Sequence, residues 1–382
     1  MVAGRRSFLA QTVACIATSR LTSASFAATS PTDPLHDMLV INTLGGLDDP
    51  NLPSASNPGD ERPSVSRRAI DDARVAGVTA INITMGYVFG DGDPYEQSIR
   101  SVRDWDALMG QHGPDLIKVK TTEDIQRAKR DRKIGLIYGF QNAAMMGDDA
   151  ARADQFADLG VRVIQLTYNP QNQLGGGALA QGNPGLTPFG REVVARLNTK
   201  RVIVDLAHSG QRTCADAALA SKQPIAITHT GCRALNDHPR NTHDAELRLV
   251  GSRGGFVGIY FMPFLATGRN ATADDVVAHV EHAVDVCGED HVGLGTDGSF
   301  TPIDDLQAYG AVLAKAVAER RAAGIAAPGE QADIFPFAID LRGPDQFREL
   351  ADRLAARGHK MSRIEKILGL NFVRFAREVW GA

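Results

Sequence analysis

The sequence predicts an α/β fold, a TIM-like (β/α)8 barrel, from three observations. Short apolar runs rich in Val and Ile alternate with segments whose apolar residues lie three and four apart, which is typical of strands and helices around a parallel sheet. There are about eight such runs, and eight strands close this barrel. The chain has 382 residues, a length that suits one large barrel domain.

The predicted strands share a β-rich apolar composition and end next to small residues. They are Leu39–Thr43, Val78–Thr84, Ile134–Gln141, Val161–Asn169, Val202–His208, Pro224–His229, Phe256–Phe261 and Val292–Asp297. The helices predicted between them are Ser66–Ala76, Tyr95–Met109, Ala150–Leu159, Pro188–Leu197 and Ala273–Val286, and more helices follow Asp297. Thr187 and Pro188 mark one helix start, because Thr is a good N-cap and Pro fits the first helical position.

Two predicted connections are longer than βα loops usually are. One is Leu47–Val65, and the other is the glycine-rich segment Pro170–Leu186. Long loops in a compact domain are generally functional, and both of these follow strands. We therefore expect both to lie over the carboxyl-terminal face of the barrel, where such folds keep their active sites.

The first 30 residues are predicted to be a separate unit. Arg5 and Arg6 precede an apolar stretch, and Ser25–Ala28 offers small residues suited to cleavage. This pattern resembles a Tat export signal and predicts a periplasmic or secreted protein, with one barrel domain over residues 31–382. The alternatives are a disordered basic N-terminus and a lipoprotein anchor at Cys15, which the Thr at position 12 disfavours.

Composition excludes several classes of partner. The net charge is -4, and no Lys- or Arg-rich run follows the N-terminus, so nucleic-acid capture is not supported and a small-molecule substrate is the better expectation. Cys214, Cys232 and Cys287 are too few for a disulfide framework and are expected to be buried thiols. After the first 30 residues no apolar run reaches the roughly 20 residues of a membrane span, so a soluble mature protein is expected.

Three polar side chains stand at the ends of predicted strands, namely His208, His229 and Asp297. Parallel strands bring their carboxyl ends to one face of a barrel, so the two imidazoles are expected to be neighbours. A single histidine there would more often be a hydrogen-bonded structural residue, but two on successive strands favour a zinc site. Such a site has an open position for a water acidified by the metal.

Arg240 lies on the loop that follows His229, just after Pro239. Its guanidinium is suited to bidentate binding of a carboxylate. A solvated surface arginine is an equally good interpretation of the spacing alone.

Several segments, in order along the chain, resemble the motifs of the membrane (renal) dipeptidases, peptidase family M19. They are Gly185–Asn198 leading into Val204–Ser209, then Ile227–Asn241, Val292–Asp297 and Gly369–Phe375. The resemblance extends from about Leu39 to the C-terminus. It implies a TIM-like barrel of the metallo-dependent hydrolase type that hydrolyses dipeptides at a binuclear zinc site.

By this resemblance, His208 and His229 would bind the second zinc and Arg240 would hold the C-terminal carboxylate of the substrate. Asp297 would pass a proton to the leaving amine. Other family positions differ here. Leu44 and Gly46 replace a His-x-Asp pair that binds the first zinc, Gln141 replaces the bridging glutamate, and Tyr168 replaces the histidine that polarises the scissile carbonyl.

These replacements predict at most one tightly held metal, because two dications without a bridging carboxylate repel each other in a partly desolvated pocket. The leading hypothesis is an exported hydrolase of dipeptides or small N-acyl amino acids, with one zinc at His208 and His229 and Gln141 as a weak third ligand. Asp297 would be general base and then acid, and Tyr168 would donate to the developing oxyanion and contact the substrate.

Three alternatives stay open. The barrel could perform other chemistry on a carboxylate-bearing molecule, or bind a ligand without catalysis. The long first loop could also fold back and supply Asp48 or Asp49 as a replacement carboxylate, although such acids are more often turn formers. A homodimer is compatible with the sequence, which does not determine the assembly.

Overall fold

Nine parallel strands form one sheet in the computed structural model, which describes Leu35, residues 37–52 and residues 62–381. The strands are β1 Ile41–Gly45, β2 Ala80–Met85, β3 Leu116–Val119, β4 Ile134–Phe140, β5 Val163–Gln165, β6 Ile203–Asp205, β7 Ala226–Thr230, β8 Phe256–Ile259 and β9 Val292–Leu294. Eight of them follow one another in the order β1-β2-β4-β5-β6-β7-β8-β9, and β3 pairs with β4 outside this path.

The helices connect these strands or follow the last one. They are α1 Arg67–Val75, α2 Pro94–Gln111, α3 Thr122–Arg130, α4 Arg152–Asp158, α5 Pro188–Thr199, α6 Gln211–Ala220, α7 Asp244–Ser252, α8 Ala273–Cys287, α9 Leu306–Ala322, α10 Gln346–Ala356, α11 Met361–Glu365 and α12 Asn371–Trp380. The start predicted at Thr187 is confirmed, because its hydroxyl accepts a hydrogen bond from the backbone N–H of Gly190 at 2.9 Å.

The first and last strands of the path are joined by individual hydrogen bonds. The Thr43 hydroxyl reaches the carbonyl oxygens of Thr228 at 2.7 Å and Leu294 at 2.9 Å. Beyond the strand ends, the N–H of Asp297 donates to the carbonyl of Leu44 at 3.0 Å. The predicted (β/α)8 barrel is therefore confirmed as a nearly closed barrel of eight parallel strands.

The amino-terminal end of the barrel is filled by α12. The first residues of several strands, such as Ile41, Ile203 and Phe256, belong to the same buried cluster as Phe372 and Phe375 of this helix. Apolar packing thus closes one end of the barrel. The carboxyl-terminal end is left for polar side chains, as the alternation of strands and helices predicts.

The predicted strands differ from the observed strands in their number and in where several of them end. The strand β3 was missed, because four residues with Lys118 among them form no apolar run. The predicted strands ending at His208 and Asp297 in fact leave the ladder three residues earlier, at Asp205 and Leu294. Both later residues have left-handed backbones, with φ of 60° and 58°, which a strand cannot contain.

In the part of the chain that the structure describes, no helix is long and apolar enough to cross a bilayer. The predicted export signal, residues 1–30, lies outside the described residues. The compact unit that carries the barrel begins at Leu35.

Candidate active site

The glycine-rich loop predicted to cover the barrel face holds the backbone of His208. The N–H of Ala178 donates to the carbonyl of His208 at 2.7 Å, and Gly177 forms an antiparallel bridge with Ser209. The left-handed conformation of His208 is unusual for a residue with a side chain and is found mainly where surrounding contacts enforce it. This loop supplies those contacts and so fixes the direction of the imidazole.

Hydrogen bonds made by neighbouring residues determine which nitrogen of His208 carries the proton. Its Nδ1 lies 2.6 Å from Oδ1 of Asn169, and Nδ2 of Asn169 donates to the carbonyl of Ile325 at 2.7 Å. Oδ1 of Asn169 is therefore the acceptor, and Nδ1 of His208 is the donor. The lone pair is left on Nε2, which is buried without a hydrogen-bond partner.

His229 reaches the same state through a different neighbour. Its Nδ1 lies 3.0 Å from the hydroxyl of Thr228, and that hydroxyl donates to a carboxylate oxygen of Asp205 at 2.5 Å. The single hydroxyl proton is thus used on Asp205, so Thr228 must accept from Nδ1 of His229. Nε2 of His229 is also buried without a partner.

The two imidazoles lie side by side, with ring centroids 4.9 Å apart. Burial, followed by the positive charge of Arg240, holds the pKa of both histidines well below the ordinary value. Both rings are therefore neutral near pH 7, the form in which histidine binds metals. The ligand pair predicted from the sequence is brought together, with both free nitrogens in the state that a metal requires.

Arg240 is a buried cation at the end of the barrel that carries the two histidines. The residue is 3% exposed, and within the described part of the chain its Nη2 has no hydrogen-bond partner. Among the described residues, no carboxylate forms an ion pair with it, and its guanidinium lies 5.8 Å from the ring centroid of Tyr260. An unpaired buried charge is costly. The alternative of a solvated surface arginine is therefore wrong, and the position suits an anionic ligand.

Asp297 faces the same region from the end of β9. Enclosure by the protein raises the pKa of its carboxyl to about 6, while the charges of Arg240 and Arg320 oppose this rise. The side chain is only partly exposed. A carboxyl with a pKa near 6 is ionised at neutral pH and can still take up and release a proton, which is what a general base and acid needs.

Tyr168 stacks on His208 with ring centroids 4.2 Å apart and an interplanar angle of 23°. Its hydroxyl accepts a hydrogen bond from Nη1 of Arg320 at 3.2 Å. Arg320 belongs to α9 and is paired with the carboxylate of Glu330 at 2.7 and 2.9 Å. The Tyr168 hydroxyl is therefore held in place, and its own proton is available for a ligand.

Gln141 is less closely connected to the pair. It follows β4, and its Nε2 donates to the Thr84 hydroxyl at 2.5 Å. Its role as a third ligand stays a prediction. The described residues also contain no group of three His, Cys, Asp or Glu side chains that could hold a metal ion. The two histidines fit a metal, but they form only part of a site.

The first loop brings Asp48 back to the place where the family pattern has an acid. A Cβ added to Gly46 would overlap with Oδ1 of Asp48. The carboxyl of Asp48 therefore occupies the space that a side chain at position 46 would begin to fill. Partial desolvation of the carboxyl by the surrounding protein raises its pKa, although the residue remains accessible to solvent.

Some residues that organise the site were not predicted to do so. Asp205 and Thr228 orient His229, Asn169 orients His208, and Arg320 holds Tyr168. The first three lie within or beside predicted strands, so their closeness to the histidines was a usable signal. Arg320 lies on a helix beyond the last strand, where the sequence offers no such signal.

Comparisons with known proteins identify the family of this chain. A sequence profile of the family described as membrane dipeptidase (peptidase family M19) matches residues 72–327, roughly two thirds of the chain. An uncharacterised dipeptidase of Schizosaccharomyces pombe is 30% identical over 223 residues, which are 55% of this chain and 54% of that protein. The chain thus matches about half the length of this relative.

Solved structures of other hydrolases are similar to this chain in fold. An amidohydrolase from Pseudomonas aeruginosa is 30% identical and superposes with a TM-score of 0.75, covering 92% of this chain and all of the other. A metallopeptidase from Rhodobacter sphaeroides, bound to a phosphinate mimic of L-Ala-D-Ala, has a TM-score of 0.68 at 18% identity, with 90% and 99% of the two chains covered. The second similarity concerns the fold alone.

Proposed function

Since the chain belongs to the membrane dipeptidase family, peptidase family M19, we propose that it hydrolyses the amide bond of dipeptides or related small N-acyl amino acids. The proposal depends mainly on one observation. Two neutral imidazoles with free Nε2 atoms and a guanidinium without an acceptor are buried at the same end of the barrel. The two imidazoles suit a metal, and the guanidinium suits the terminal carboxylate of a small substrate.

Each of the other steps is assigned to a residue of the chain. Arg240 binds the substrate carboxylate and so positions the scissile amide. Asp297, ionised at neutral pH, takes a proton from the attacking water and returns it to the leaving nitrogen. The Tyr168 hydroxyl, held by Arg320, donates to the oxygen on which negative charge develops.

Membership in this metallopeptidase family implies a metal cofactor. We propose zinc, held by Nε2 of His208 and Nε2 of His229, with Gln141 as a weak ligand. When bound, it would supply a water of lowered pKa. A single ion is proposed because the described residues offer two imidazoles but no acidic side chain at position 141 to bridge two ions.

Metal analysis combined with a dipeptide panel tests this proposal. The panel is run on the wild type, on the double variant His208→Ala/His229→Ala, and on His282→Ala as a control. His282 pairs with Asp244 outside the site. About one zinc per chain, with hydrolysis lost only in the double variant, is the expected result.

Other outcomes contradict parts of the proposal. Hydrolysis that survives in the double variant would exclude the assigned metal ligands. Two tightly bound zinc ions would exclude the single-ion site and would make Asp48 the first residue to test. Absence of both metal and hydrolysis would favour a binding protein without catalysis, which the lack of a three-ligand group among the described side chains would then explain.

We also propose that the chain is exported through the twin-arginine pathway to the periplasm or beyond, on the basis of Arg5 and Arg6. Fractionation of cells that express the wild type or Arg5→Lys/Arg6→Lys tests this, and retention of the variant in the cytoplasm is expected. Equal export of both would contradict the proposal. The homodimer stays a prediction that light scattering can test.

A further inference from the structure

A cavity of about 180 Å³ extends from the candidate site between two loops. The glycine-rich loop lines one side through Gly177 and Asn183, and α7 lines another. His208 and Arg240 also line this cavity, so it is continuous with the groups assigned to hydrolysis. Its volume is more than ten times the roughly 15 Å³ that a single water needs, which leaves space for part of a ligand.

The acidic side chain in this cavity is Glu246, in the first turn of α7. The residue is only 6% exposed, and its Oε2 is buried without a hydrogen-bond partner. No residue in the described ranges forms a hydrogen bond or an ion pair with this carboxyl. Burial of a polar group without a partner is costly, so the position calls for a donor from outside the chain.

The position of Glu246 near a helix start does not by itself explain its burial. Acids are favoured in the first turn because of the helix dipole, and Asp244 in the same turn has this benefit while it remains partly exposed. Asp244 is also paired with His282 at 2.9 Å, whereas Glu246 lines the cavity and has no such partner among the described residues. The difference between these two acids indicates a ligand for the second.

Arg240 and Glu246 offer opposite charges to the same cavity, and they form no ion pair with each other. If Arg240 binds the terminal carboxylate, as the proposed function requires, the α-nitrogen of the same residue is committed to the scissile amide. Because an amide nitrogen is neutral, the only cationic group that this residue can carry is at the end of its side chain.

We propose that this cavity receives the side chain of the C-terminal residue of the substrate, and that Glu246 selects side chains ending in an ammonium group. The substrate class is thus dipeptides and N-acyl amino acids with a basic C-terminal residue, of which lysine is the simplest case. This inference rests on the proposed function and adds a specificity residue to it.

Three dipeptides of similar size test the selection. Alanyl-lysine carries the ammonium group, alanyl-norleucine has an uncharged side chain, and alanyl-glutamate carries the opposite charge. We expect kcat/KM of the wild type for alanyl-lysine to exceed that for alanyl-norleucine by roughly tenfold or more, the value of a hydrogen bond to a charged group. Alanyl-glutamate should be the poorest substrate of the three.

Variants identify the residue responsible. Glu246→Gln keeps the shape of the side chain and removes its charge, so the ratio of kcat/KM for alanyl-lysine to kcat/KM for alanyl-norleucine should fall to nearly one. Glu192→Gln, on the exposed face of α5, is the control and should keep the wild-type ratio. Thermal unfolding shows whether each variant is folded, and Glu246→Met, which is also uncharged, is a second variant if the glutamine protein is not. A wild-type ratio near one, or a ratio unchanged in a folded Glu246 variant, would overturn the inference.

Binding measurements separate this inference from the proposed function. Calorimetry compares Nα-acetyl-lysine with Nα-acetyl-norleucine on the wild type and on Glu246→Gln. Tighter binding of the lysine compound that depends on Glu246 would support the selective cavity even if no dipeptide is hydrolysed, in which case only the hydrolytic function fails. Equal binding of both compounds would overturn the selective cavity whatever the hydrolysis assay shows.

Discussion

The states of individual side chains in this site are set by neighbours that take no part in the proposed chemistry. His229 presents a free Nε2 because the Thr228 hydroxyl accepts a hydrogen bond from its Nδ1 and donates one to Asp205. Partners of this kind fix the tautomer and the ring orientation of metal-binding histidines. The hydrogen bonds that join Asp205, Thr228 and His229 therefore predict that a change at Thr228 alters metal binding.

Thr228→Val removes this link while keeping the shape of the side chain. We expect zinc affinity to fall by about 10- to 100-fold, the usual cost of losing a partner behind a metal ligand. Competition with a chromophoric chelator measures the affinity, and Thr199→Val at an exposed position of α5 is the control. Unchanged affinity in Thr228→Val would show that the hydroxyl does not orient His229.

His279 gives a prediction about acid stability. Its Nδ1 accepts from the N–H of Cys232 at 2.8 Å, at the start of the loop that carries Arg240. Burial lowers the pKa of His279 from 6.5 to about 4. Because the unfolded chain binds this proton more readily, the stability present above pH 6.5 is lost as the pH falls towards 4, by about 3 kcal/mol for this residue.

The measurement is the free energy of unfolding of metal-free protein between pH 7 and pH 4. His279→Gln removes the titrating group, so the free energy of unfolding of this variant should depend less steeply on pH than that of the wild type. An equally steep loss in His279→Gln would mean that other buried groups cause the acid sensitivity.

At the scale of elements, the glycine-rich loop determines the position of His208. A Cβ on Gly177 would overlap with the carbonyl oxygens of Tyr168, Asn169 and Pro170. The loop can therefore approach this strand end only with glycine at that position. The same approach lets Ala178 hold the carbonyl of His208.

Gly177→Ala should move the loop away from the strand end. We expect a loss of about 1 to 3 kcal/mol in stability, as for other overpacked positions, together with weaker zinc binding through His208. Gly110→Ala is the control, since a Cβ there meets no other atoms and helix α2 should gain slightly. Denaturant unfolding measures the stability of both variants, and zinc titration measures their affinity for the metal. A Gly177→Ala protein that matches the wild type in stability and in zinc affinity would contradict the role of the loop.

At the scale of the whole molecule, stability and function lie at opposite ends of the barrel. Helix α12 fills the amino-terminal end with aromatic side chains, of which Phe375 is fully buried against Phe256. The carboxyl-terminal end keeps unpaired polar atoms on His208, His229, Arg240 and Glu246. The apolar end offsets the cost of this polar end.

Phe375→Ala is therefore expected to reduce the free energy of unfolding by about 3 to 5 kcal/mol, as large cavities do, without changing KM at temperatures where the protein is folded. Urea unfolding and assays well below the transition measure the two effects. A raised KM in fully folded Phe375→Ala would show that the two ends of the barrel are coupled.

The sequence by itself determined the barrel, the family and the face on which the two histidines meet. These features depend on local patterns: the spacing of apolar residues gives the strands and helices, and the position of His208 and His229 after apolar runs gives their place on the barrel. The family profile confirms the resemblance on which the roles of Arg240 and Asp297 depend.

Tertiary structure alone decided the rest. The proton positions on the imidazoles, the burial of Arg240 without an anion, and the hold of Arg320 on Tyr168 each depend on residues far apart in the chain. Glu246 is the clearest case, because its sequence context is that of an ordinary acid in the first turn of a helix. Only the packing of α7 against the cavity makes it a buried, unpaired carboxyl, since burial depends on what the folded chain places around a residue.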